Sequence, residues 1–131
     1  MRLVWYVALG GALGSVARYA VGSWIQFRTG STFPVGTLVV NLSGSFLLGL
    51  ILRYALETPA VTPEARALLT TGILGGYTTF STFTYETATL LEEGDWRRAT
   101  LYAGLSVLLS LAGAFLGIAG ARELLAARHA T

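Results

Sequence analysis

Residues 70–84 read TTGILGGYTTFSTFT, and ten of these fifteen are Thr, Ser or Gly. No charge interrupts the stretch, yet the composition is wrong for a helix that faces lipid. Gly75 and Gly76 each cost about 1 kcal/mol relative to alanine in a helix interior, and the threonine hydroxyls compete for nearby backbone groups. Together they predict a helix break between Gly75 and Phe80. Unwound backbone at membrane depth survives only where protein covers it or a wet cavity solvates it, which puts this stretch at the centre of an assembly. Freed carbonyls in such a break suit cations. Hydroxyls, helix N-terminal N–H groups and the electropositive ring edges of Phe80 and Phe83 suit anions. The two phenylalanines, three residues apart, fall on one side, where ordinary core packing is the competing account.

On either side of this stretch charge is sparse. Only 12% of the 131 residues are charged and 53% are hydrophobic, with a mean hydropathy of +0.61, against roughly 25% charged in soluble domains. A water-soluble globule is excluded, because sixteen charged side chains cannot keep the surface of such a domain hydrated. The charges fall between long neutral runs: 29–52, 67–85, 99–121, and 3–27 broken only by Arg18. At about 20 apolar residues per bilayer crossing, these become four expected spans, 3–27, 35–52, 67–85 and 99–121, in one membrane domain covering 1–131. The first run is too long and Gly-rich for a signal peptide and lacks a basic leader; it reads as a retained helix. Absence of cysteine removes disulfides, thiolate metal sites and cysteine nucleophiles.

The connections carry the punctuation expected of helix ends. Residues 28–34 are RTGSTFP, residues 57–64 are ETPAVTPE, and residues 92–98 are EEGDWRR with Trp96 at headgroup depth. Residues 121–131 read as a helical extension into water. Four spans would place Arg2, Arg53, Arg66, Arg122 and Arg128 on one side and Arg28, Arg97 and Arg98 on the other. That bias is too weak to fix an orientation by the positive-inside rule. The expectation is dual topology with pairing as an antiparallel homodimer; a single translocon-set orientation is the competing account.

Inside the spans, small and polar residues recur at helical spacing. Gly10, Gly14, Arg18 and Gly22 share one face of the first span, suited to close helix packing. Arg18 there reads either as an electropositive lure for anions at a vestibule or as a side chain snorkelling to the nearer interface. Thr37, Asn41 and Ser45 form a stripe on the second span, and Tyr102, Ser106 and Ser110 another on the last. The Asn41 amide serves either a helix contact or a passing ligand. Intramembrane proteolysis, metal-assisted hydrolysis and proton-coupled export need an embedded acid, base or ligand set, and Glu86 lies just past the third span while His129 lies in the tail. What remains is a path of neutral donors for a small anion or polar solute. Stripping a bare ion of water costs tens of kcal/mol in a low-dielectric medium, so such donors must be continuous.

Three segments, GGALGSVARY (10–19), GTLVVNLSGSF (36–46) and GGYTTFSTF (75–83), together resemble the Fluc, or CrcB-like, family of fluoride channels in order and spacing. The resemblance implies an all-α membrane protein with four transmembrane helices, the third broken, paired as an antiparallel dual-topology homodimer with two pores. It implies that Asn41 is the pore asparagine and that Phe80 and Phe83 are the paired pore phenylalanines. Thr79, Ser81 and Thr82 on the broken helix, with Tyr102, Ser106 and Ser110 on the last, fall where the family has its polar track. Backbone carbonyls of Gly75 and Thr78 from both subunits would hold a central sodium ion (Na+) that is structural and not transported. Glu86 resembles an acidic residue at the end of the broken helix, with no role assigned. The implied function is passive export of fluoride from the cytoplasm across the cell membrane. Hydrogen fluoride enters uncharged and dissociates inside, and the channel lets the anion leave. Expected partners are fluoride, membrane lipid and a second copy of the chain; no catalysis and no nucleic acid is expected. Two rivals remain. A small dual-topology drug exporter needs an embedded glutamate where this chain has Arg18, and a non-transporting membrane scaffold explains the glycine faces but not the hydroxyl stripes.

Overall fold

The computed structural model describes residues 1–131 and contains only helices and their connections. Three helices are long and apolar enough to cross a membrane: Arg2–Thr29, Val35–Leu56 and Trp96–His129. Each overruns the expected span, because flanking charged residues continue the helix. The chain is a multi-pass membrane protein, and its burial pattern fits lipid as solvent. Only 18 of 131 residues are buried, and leucines, valines and aromatics stand exposed along the first and last helices. A soluble protein would bury such surface.

Helix ends follow the turn chemistry of the sequence. Gly30 takes the left-handed conformation (φ 58°) after the first helix and returns its N–H to the Gln26 carbonyl. Asp95 caps the last helix by accepting from Arg98 N at 3.1 Å. Thr62 caps the segment that begins at Pro63, where the missing proline N–H costs nothing.

Residues 67–85 do not form one helix. A first arm, 63–77, joins α-helical Pro63–Arg66, π-helical Ala67–Leu74 and α-helical Gly75–Tyr77; Thr78 and Thr79 are extended; a second arm, Phe80–Glu92, follows. Gly75 and Gly76, expected within the unwound region, stay helical, and Phe80 opens the next helix. The extended link is therefore two residues, not six. Its position after the glycines reflects where side-chain partners exist for the freed backbone groups.

Packing positions these pieces. The first arm lies against the first helix so closely that a Cβ on Gly14 would land on the Ile73 carbonyl, and one on Gly10 would come within 2.5 Å of the Leu68 carbonyl. The second and last helices run parallel, with Gly113 beside Leu42, Gly117 beside Phe46 and Gly120 beside Leu50. The second arm rests on the last helix through Leu90, Ala99, Tyr102 and Phe83. The connections gather at two ends. Arg2 pairs with Glu64 at one, and Arg98 reaches Thr32 at the other.

Candidate functional site

The site is organised by the Thr78–Thr79 link. Two extended residues release peptide groups from the helical ladder, and buried peptide groups must be paired. Asn41 does this for Thr79 from both sides: its Nδ2 donates to the Thr79 carbonyl at 2.9 Å, and its Oδ1 accepts from Thr79 N at 2.7 Å. A carboxamide can serve the N–H and the C=O of one residue, which belong to successive peptide groups, because it carries a donor and an acceptor side by side. One amide hydrogen of Asn41 is left over. Nearby on the same helix, Ser43 Oγ meets Tyr77 OH at 3.0 Å, and the Thr78 methyl fills the space beside Gly44. The second helix therefore pins the link over several neighbouring positions.

Thr79 is buried and starts the second arm. Its Oγ1 accepts from Thr82 N at 3.1 Å, donates to Thr82 Oγ1 at 3.0 Å, and lies 3.3 Å from Ser81 Oγ. These are the three hydroxyls expected on the broken helix, brought into one cluster at its N-terminus. Thr82 is half-buried and Ser81 is exposed.

Aromatic rings continue from the cluster. Phe80 and Phe83 lie 5.6 Å apart between centroids, Phe83 meets Tyr102 at 5.3 Å, and Tyr102 meets Phe33 edge-on at 5.5 Å and 81°. Burial rises along the row, from Phe80 at 77% exposed to Tyr102 at 0%. The hydroxyls of Tyr102 and Ser106 are buried and have no hydrogen-bond partner in the protein. Thr37 and Glu86 stand near the Tyr102 hydroxyl, but neither meets it in hydrogen-bond geometry. Most buried polar groups are paired, so two orphans one helical turn apart ask for an explanation. Ser110, the next in the series, is half-buried.

A cavity of about 800 Å³ opens beside the link, walled by Ser15, Arg18, Thr37, Thr79, Thr82 and Glu86 among others. Hydroxyls, the Arg18 guanidinium and the Glu86 carboxylate share its wall with Tyr19, Phe27, Pro34 and Val40, so it offers donors and acceptors beside apolar surface. Arg18 forms no ion pair or side-chain hydrogen bond and is half-buried on this wall, not facing away from it. Glu86, which the sequence sets just beyond the third span, stands on the same wall and accepts from Thr37 Oγ1 at 2.6 Å. The stripe of the second helix thus divides its work, Thr37 holding Glu86 and Asn41 holding the link.

Gly75 and Thr78 lie on a second cavity, of about 550 Å³, together with Arg66, Thr70 and Thr71. An unbroken helix would send Thr79 N to the Gly75 carbonyl, but that donor is taken by Asn41. No backbone or side-chain donor reaches the Thr78 carbonyl. Neither oxygen therefore receives a hydrogen bond from the protein.

Two participants are absent from the sequence reading. Tyr77 has no periodic signal, and only its place next to the link marks it. Gln26 donates to the carbonyls of Ser31 at 2.6 Å and Phe33 at 3.0 Å and accepts from Gly36 N at 3.0 Å, so it stitches the turn at the mouth of the larger cavity. A lone glutamine near a helix end carried no pattern to reveal this.

A family model described as CrcB-like protein, Camphor Resistance (CrcB), matches residues 5–118. A protein of Thermus thermophilus named "Fluoride-specific ion channel FluC" is 55% identical over 111 residues, covering 85% of this chain and 87% of the relative. One of the same name from Geobacter metallireducens is 50% identical over 118 residues, covering 90% and 95%. A third, from Aquifex aeolicus, is 47% identical over 117 residues, covering 89% and 94%.

Proposed function

The chain belongs to the CrcB-like family, and on that premise we propose that it is a fluoride-selective channel that lets fluoride leave the cytoplasm passively. It is a membrane ion channel and not an enzyme. The observation that carries the reading is the pair of buried, unpartnered hydroxyls at Tyr102 and Ser106, next to the Phe80–Phe83–Tyr102 row. An anion that has shed its water needs donors the protein itself does not consume. These two hydroxyls are such donors, and the ring edges extend the same electropositive lining. The remaining Asn41 hydrogen and the Ser81 and Thr82 hydroxyls, gathered by Thr79, lead into it from the cavity, with Arg18 raising the local anion concentration at the entrance.

The two arms, 63–77 and 80–92, act together as one crossing, since each alone is shorter than the roughly 20 residues a bilayer needs. The working unit is an antiparallel homodimer of chains inserted both ways. Phe80, Ser81 and Tyr85 are exposed on the second arm of a single chain, and the Ser81 and Tyr85 hydroxyls at that depth need a protein neighbour or water. A second copy supplies the neighbour and a second, symmetric path. A structural Na+ between the copies is supported by the free Gly75 and Thr78 carbonyls. Gly75 and Thr78 would hold the ion through these carbonyls, and it would supply positive charge between the chains without taking part in conduction.

The test is fluoride-electrode efflux from proteoliposomes. Fluoride release with chloride retained is the expected result, and chloride released equally fast, or no fluoride release, would defeat the reading.

A further inference from the structure

The two ends of the molecule differ in charge. The end with the 57–62 connection and the C-terminus carries Arg2, Arg53, Arg66, Arg122 and Arg128 against Glu57, Glu64 and Glu123. At the opposite end Arg28, Arg97 and Arg98 are matched by Glu92, Glu93 and Asp95. The arginines also differ in how they are held. Arg2 pairs with Glu64 at 3.2 Å, Arg53 with Glu57 at 2.8 Å and Arg98 with Asp95 at 3.5 Å. Arg28 lies over the Trp24 ring at 5.5 Å.

Arg128 is held otherwise. Its Nη1 donates to Tyr54 OH at 3.0 Å and to Thr58 Oγ1 at 3.2 Å, and no carboxylate pairs with it. Both hydrogens of that nitrogen are then in use, on neutral oxygens. The free edge is the one formed by Nε and Nη2, which presents two parallel N–H groups in the spacing that grips two oxygens of a phosphate. Glu57, the acid nearest to Thr58 in sequence, is occupied by Arg53. The guanidinium is therefore oriented by two contacts while its charge stays uncompensated.

Its depth is set by helix length. The last helix has 34 residues, about 51 Å at 1.5 Å per residue, against roughly 30 Å of hydrocarbon and 40–45 Å with headgroups. With Trp96 at the opposite interface and an average tilt of about 20°, Arg128 stands about 45 Å from Trp96 along the membrane normal, at the outer edge of the headgroup layer. We propose that Arg128, oriented by Tyr54 and Thr58, binds the phosphate of an anionic phospholipid headgroup at this end of the molecule. Arg66 and Arg122, which pair with no carboxylate, add to the field that draws the lipid there.

The experiment uses the full chain in neutral detergent, with melting followed while phosphatidylglycerol, phosphatidylcholine or inorganic phosphate is added at equal concentration. Phosphatidylglycerol should raise the midpoint by about 4 °C more than phosphatidylcholine, as about 1 kcal/mol of linked binding would. Arg128→Gln should remove most of that difference, and Arg97→Gln, at the other end, should keep it. Should the Gln variant not fold, Tyr54→Phe serves: it leaves the charge but frees the guanidinium, and should lower the difference partially. Equal effects of the two lipids, or a full difference in Arg128→Gln or in Tyr54→Phe, overturns the proposal. If inorganic phosphate matches phosphatidylglycerol, the lipid assignment falls. None of these readouts depends on ion conduction.

Discussion

The two arms of the interrupted segment are fixed in opposite ways. The first, 63–77, is seated by shape: it meets the first helix backbone to backbone, at glycines where no Cβ fits. The second, Phe80–Glu92, is seated by polar side chains and rings: Asn41 on Thr79, Thr37 on Glu86, and Phe83 on Tyr102. Beyond one exposed ion pair at its start, Glu64 with Arg2, the first arm spends no side-chain hydrogen bond on its placement against the first helix. The second spends most of its own and keeps a few groups unspent. A steric joint gives rigidity without chemistry, whereas a polar joint can share its donors with something passing by.

The sharpest way to break this contrast is at Gly14. Leucine there would collide with the Ile73 carbonyl; backbone cannot step aside as a side chain can, and the cost exceeds the roughly 1–3 kcal/mol usual for overpacking. Gly14→Leu should yield no folded protein by size-exclusion chromatography, and a monodisperse product would show the first joint to be softer than its geometry. Next in size is Asn41→Ala, which orphans the Thr79 N–H and the Thr79 carbonyl, at about 2–4 kcal/mol. Melting should fall and fluoride flux should vanish with it; Asn41→Asp, keeping the acceptor for Thr79 N but losing the donor to its carbonyl, should recover part of the stability and little flux. Phe83→Ile and Phe80→Ile should cut flux by about tenfold or more with the fold retained, since Phe80 is 77% exposed in the chain. Normal conduction in both would remove the rings from the path. The smallest expected change in stability is that of Tyr102→Phe. Deleting a buried hydroxyl without a partner should leave melting unchanged or raise stability by up to about 1 kcal/mol, while flux falls. A destabilised Phe variant would mean that the hydroxyl is structural after all.

Much of this was legible in the sequence, and the reasons are uneven. The three long helices follow from charge-free runs bounded by Gly, Pro and charged turns, a signal that needs no tertiary knowledge. The place of interruption was readable to within a few residues from Gly75, Gly76 and the threonines, but its extent was not. Gly76 stays helical with its backbone against Gly11 and Ser15 of the first helix, and Gly75 continues the same turn, whereas Thr78 and Thr79 unwind where Asn41, Ser43 and Gly44 can receive them. That choice is made by another helix and is invisible to local propensity. Spacing placed Tyr102 and Ser106 together, yet their lack of partners is a property of packing. Glu86 was set outside the span by the charge pattern and lies on the cavity wall, because the second arm continues as a helix past residue 85.

The overlong last helix has a consequence for bookkeeping at the membrane. Its end reaches the outer edge of the headgroups on whichever side the chain's C-terminus emerges, so an affinity tag appended after Thr131 reports the side directly. In sealed vesicles a protease added from outside would shave every tag, or none, if all chains insert alike. A pair inserted head to tail would lose half, and the fraction cut would be an integer ratio set by symmetry and independent of how well the protein conducts.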